Sequence, residues 1–118
     1  MKGMLSPGPA RKITIHLNED TSSRHDFLYK EIFAFLYEHG VAGASLIRPQ
    51  AGFGMHHRLH EKHGGDGEDE HMPVRIEFVE TREKVESLLP ELFSLITDGL
   101  VEAQDTTILK SALRAEPR

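Results

Sequence analysis

Five of the chain's eight histidines, His56, His57, His60, His63 and His71, fall in one polar stretch. If that stretch turns helical at its start, His56 and His60 stand at i and i+4 and His60 and His63 at i and i+3. Two imidazoles so spaced can meet one zinc, copper or nickel ion. Glu61 and the acidic block Asp66, Glu68, Asp69 and Glu70 could add an oxygen ligand. Against a rigid site stand Gly64, Gly65 and Gly67, whose backbone freedom suits a loop that binds metal by composition alone. The same cluster could sense pH, since protonating it between roughly pH 5 and 8 carries the loop from acidic toward neutral.

Just before the histidines lies Gly52-Phe53-Gly54. Glycine allows close backbone approach to a ligand, although the same pattern also fits a plain strand-to-loop turn. Catalytic chemistry finds less support. With no cysteine there is no thiolate nucleophile, thiolate metal site or disulfide. No serine sits in a nucleophile-elbow setting, and a water activated by loop histidines would need a rigid loop. The expectation is a protein that is not an enzyme.

At 118 residues the chain has the length of one domain. A net charge of -5 without a basic stripe disfavours nucleic-acid binding, which requires cations to displace phosphate counterions. No apolar run resembles a signal peptide or a membrane span, so a cytoplasmic soluble protein is expected.

The elements that must position the loop follow from periodicity. Residues 1–10, with Pro7, Gly8 and Pro9, read as a flexible tail. Residues 11–17 alternate, with Ile13, Ile15 and Leu17 on one side, as a half-buried strand does. Ser23 and Asp26 have the spacing of a capping box, predicting a helix from there to about His39, ended by Gly40. Phe27, Leu28, Ile32, Phe35 and Leu36 form its apolar face. Tyr29, Phe33 and Tyr37 add a second flank, read as extra core or as a subunit contact. Residues 42–48 make a second strand and residues 73–80 a third. Thr81 is a plausible N-cap for a helix carrying Val85, Leu88, Leu89, Leu92 and Ile96 on one face, bent near Pro90 and closed by Gly99. Residues 106–110 read as a final strand and residues 111–118 as a tail.

Strand, helix, strand, strand, helix, strand is an α+β pattern, the ferredoxin-like βαββαβ unit: a four-stranded antiparallel sheet with two helices on one face. One sheet face is then uncovered, and its apolar outward residues Ile47 and Val79 make oligomerisation reasonable.

Gly40, Val41, Gly43, Arg48, Gly52, Phe53, Gly54, Arg58, Leu59 and His60, followed by Pro73, Val74, Ile76 and Glu77, resemble the signature of the domain-of-unknown-function 190 family in the PII-like superfamily. Leu88 to Leu92 (LLPEL) and Asp98 to Val101 fit it too. The resemblance spans roughly residues 11–110. It implies a signalling subunit of a homo-oligomer, usually a trimer, with effector pockets in the clefts between subunits. Residues 50–72 then take the place of the T-loop that docks onto a target. It also implies an effector, with an adenine nucleotide as one candidate, held by Arg48, Gly52, Phe53, Gly54, Arg58 and His60. Family members occur beside membrane transport proteins, which makes a transporter a possible target.

One feature departs from the PII pattern. The segment after the second helix has no lysine or arginine between residues 97 and 105 to grip phosphate. Asp98, Glu102 and Asp105 would face a bound nucleotide uncompensated, leaving Arg48, Arg58 and Arg75 to act from across the cleft. The alternative is a divalent-metal-binding protein resembling CutA, using His56, His57, His60 and His63.

Overall fold

The computed structural model describes residues 5–22, 26–53, 60–61 and 72–114. Its elements in chain order are β1 (Gly8–Asn18), α1 (Leu28–Glu38), β2 (Ser45–Ile47), β3 (Ala51–Gly52), β4 (His60–Glu61), β5 (Pro73–Thr81), α2 (Arg82–Leu95) and β6 (Leu100–Ile108). The main sheet has the order β2-β5-β1-β6 with every neighbouring pair antiparallel. This is the expected α+β, ferredoxin-like arrangement, with β3 and β4 added as a small separate ribbon.

Alternation in β1 and β5 sets the register. Ile13 lies opposite Phe78, Ile15 opposite Ile76 and Leu17 opposite Val74, all buried. A slip of one residue would turn one strand's apolar set toward the other face. From the helix layer Leu28, Ile32, Phe35, Leu36, Val85, Leu88 and Leu92 complete the core. Each fully buried aliphatic side chain there is worth about 1.5–3 kcal/mol of transfer free energy. Because β1 and β2 run parallel with β5 between them, the right-handed crossover sets α1 over that half of the sheet. By the same rule α2 connects β5 to β6 across β1.

Several boundaries differ from the sequence reading. Strand β1 begins at Gly8, because pairing with β6 extends to Gly8–Ile108, and Ala10 is fully buried rather than part of a tail. Helix α1 starts at Leu28, and its N-cap Phe27 has no side-chain cap. The Asp26 carboxylate instead accepts from the Phe27 backbone N–H at 2.7 Å, while Ser23 lies outside the described residues. Gly40 does end α1, at φ 73°, with Val41 N–H donating to Leu36 O and Gly40 N–H to Tyr37 O. In the second flank Tyr29 and Phe33 pack against the core, but Tyr37 is 86% exposed.

Strand β2 spans only Ser45–Ile47, since the Ala42 N–H donates to the buried Glu80 carboxylate at 2.8 Å and not to a strand. Helix α2 has the predicted Thr81 cap, whose hydroxyl accepts from Lys84 N–H at 3.3 Å, and Pro90 lies within it. It ends at Leu95, not at Gly99. The last strand starts at Leu100 rather than at Thr106, and most of its residues are exposed, as suits a sheet edge.

Candidate functional site

Three chain segments meet at the ends of β1 and β2 and the start of β5. Glu19 follows β1, and its backbone N–H donates to Met72 O at 2.9 Å, tying it to the start of β5. Arg48 follows β2. Its Nε donates to Glu19 Oε1 at 2.9 Å and its Nη2 to Glu19 Oε2 at 3.1 Å, a two-point fork between planar groups. The hydrogen bond to Glu19 raises the Arg48 pKa, burial acts against it more weakly, and the Tyr29 hydroxyl adds a smaller push upward. Arg48 is thus an oriented, permanent cation whose side chain is 41% exposed.

Three residues after Arg48 the ribbon begins. Ala51 pairs with Glu61 and Gly52 with His60. A Cβ on Gly52 would lie 3.4 Å from the ring of Pro73, so what the glycine provides is room against that ring. Phe53 follows, 57% exposed. The structure pairs Gly52 with the His60 backbone and sets Gly52 against Pro73, while Arg48 is held by Glu19. Gly54, Arg58, His56, His57, His63 and His71 lie outside the described residues. His60 is extended in β4, where it pairs with Gly52. Among the described residues no three metal-ligating side chains converge.

Glu19 escapes a reading of the sequence because nothing local marks it: its partner is 29 positions away. The acids after α2 also look different in three dimensions. Glu102 is paired with His16 at 2.7 Å, and Asp105 lies 3.4 Å from Arg11 and 3.6 Å from Arg82. Both stand on β6, Glu102 hydrogen-bonded to His16 and Asp105 beside two arginines. On the uncovered sheet face a cleft of about 280 Å³ is floored by Lys12, Thr14, His16, Arg75 and Glu77. Burial alone would push the Glu77 carboxyl up. Hydrogen bonds from Arg75 at 3.0 Å and contact with Lys12 at 3.4 Å outweigh it and hold Glu77 below its ordinary value.

The sequence profile of DUF190, described as an uncharacterized ACR, matches residues 10–108. The chain belongs to the DUF190 family. A UPF0166 protein of Methanocaldococcus jannaschii is 27% identical to this DUF190 chain over 108 residues, covering 86% of it and 93% of the relative. Among solved structures, CPII of Thiomonas intermedia K12, a nitrogen regulatory PII-like protein bound to ADP, AMP and bicarbonate, superposes with a TM-score of 0.62. It is 22% identical, and the match covers 90% of this chain and 93% of CPII. A PII-like signaling protein of Thermus thermophilus also gives a TM-score of 0.62, at 13% identity, covering 89% of this chain and 94% of that protein. At these identities the likeness establishes the fold, which is PII-like. No helix among the described residues is long and apolar enough to cross a membrane.

Proposed function

We propose that this DUF190 protein is a non-enzymatic PII-like regulator that binds an adenine nucleotide at the base of its long loop, in clefts between subunits. Residues 50–72 then carry the signal to a target, for which the family resemblance suggests a membrane transport protein. The observation that carries this reading is Arg48, held by Glu19 in a fixed orientation a few residues from the exposed Phe53. A nucleotide needs a cation for its phosphates and an apolar plane for its base, and these two groups are of those kinds. CPII, which shares the fold, is bound to ADP, AMP and bicarbonate, and that supports the choice of ligand class.

The test is calorimetric titration with ADP, AMP and ATP, each with and without bicarbonate, joined to native mass spectrometry for stoichiometry. About one nucleotide per subunit is expected. Arg48→Gln removes a charge-assisted hydrogen bond worth about 1.5–3 kcal/mol, so the affinity should fall about ten- to a hundredfold. Unchanged affinity in that variant would move the nucleotide elsewhere. Wild-type protein that takes up no adenine nucleotide at millimolar concentration would end the reading.

A further inference from the structure

Besides the open sheet face, two surfaces among the described residues stay without cover, and both lie at the same end of the sheet. One is a groove of about 310 Å³ between α1, through Phe33, Leu36 and Tyr37, and residues 41–44. Its wall is held in place. The buried Glu80 carboxylate accepts from Ala42 N–H, and Lys84 Nζ donates to Gly40 O at 3.2 Å. The other is the segment that leaves β6, in which Leu109 is 87% and Leu113 is 64% exposed. The chain's own groove therefore does not take these leucines.

Strand direction relates the two. The sheet ends in β2 on one side and β6 on the other, each with an outer edge that no strand of the described residues pairs. Strand β5 is antiparallel to β2, and both β5 and β6 are antiparallel to β1, so β2 and β6 run in opposite directions. When β6 of a second copy lies along β2, the two edges form an antiparallel pair. The chain leaving Ile108 then lies at the end of the sheet from which residues 41–44 approach β2, because Ile108 pairs with Gly8 and Ser45 is level with Thr14 through Glu77. Six residues, 109–114, span up to about 20 Å when extended.

Charge agrees with this placement. The tail carries Lys110 and Arg114. The groove is flanked by the carbonyl end of α1, which closes on Glu38 and has no basic residue of its own in its last turn, with Lys84 of α2 reaching Gly40 O beside it. Cations are favoured at that end of a helix.

We infer that residues 109–114 of one subunit dock in the groove between α1 and residues 41–44 of the next subunit, as a clasp closing the oligomer. Such head-to-tail contact uses different surfaces on each copy and closes into a ring when the rotation permits. The inference rests on the oligomeric reading proposed above and adds to it a defined contact.

The chain lacks cysteine, so placed thiols report without background. Both Tyr37→Cys and Leu113→Cys fall at exposed positions and leave the core intact. Mixing and reassembling the two single variants with a short bis-maleimide should give a cross-linked dimer containing one of each, and neither variant alone should do so. The double variant should give covalent rings. Leu109→Asp with Leu113→Asp should weaken assembly tenfold or more by light scattering at graded concentrations. An oligomer that forms no Tyr37–Leu113 cross-link, or a bond within one chain, overturns the docking while the oligomeric reading stands. A monomer at all concentrations overturns both.

Discussion

At Gly99 the backbone has φ 142°, and a Cβ built there would run into the carbonyl oxygen of His16. The glycine is needed because the turn before β6 crosses the end of β1 at backbone contact distance. Closing α2, the role its place in the sequence suggests, is not its role in the fold. Gly99→Ala should combine a strained φ with a clash against backbone, costing about 2–4 kcal/mol, read as a lower urea midpoint at unchanged slope. Gly52 is different: a Cβ there meets the Pro73 ring at ordinary contact distance, 3.4 Å, so the room it provides is local and a substitution mild. Arg48 is legible as a candidate from its type and place. Glu19, which orients it, is not, because an ion pair 29 residues apart leaves no periodic trace.

Among the elements, those with strong internal pattern are legible. The alternation of residues 73–81 and the three-and-four spacing of Val85, Leu88 and Leu92 each bury one face, and both elements lie where that pattern places them. The Thr81 cap is part of that local code. Thr81→Ala should cost about 1 kcal/mol and Thr81→Ser much less, measured by chemical denaturation, since the serine hydroxyl can still accept from Lys84 N–H. Strand β6 is mostly hidden in sequence because a largely exposed edge strand needs no apolar alternation. The β3–β4 ribbon is hidden for another reason: two residues per strand carry no period.

Across the assembled sheet, the uncovered face is held by paired charges. Glu77 receives Arg75 on one carboxylate oxygen and lies 3.4 Å from Lys12 on the other. Its folded carboxyl is more acidic than the ordinary glutamate value of 4.5, so its stabilisation is complete above that pH and is lost as pH falls through the folded value. Thermal melts of the wild type should therefore lose stability in acid below about pH 4.5. Glu77→Gln should flatten that part of the profile and lower neutral-pH stability by about 1 kcal/mol or less, the value expected for partly exposed ion pairs. Equal slopes for the two proteins would show that other carboxylates govern the acid limb.

Local sequence suffices for the α+β class, the antiparallel βαββαβ order and the apolar faces, because periodicities of two and of three to four are direct consequences of strand and helix geometry. Residue type also marks the loop base. Which charges meet is settled only in the folded chain: Glu19 with Arg48, His16 with Glu102, and Asp105 with Arg11 and Arg82. The same holds for the apolar groups Tyr37, Leu109 and Leu113, which the chain's own fold leaves uncovered. These outcomes depend on strand order and register, which bring distant positions together through backbone pairing that no single stretch of sequence encodes.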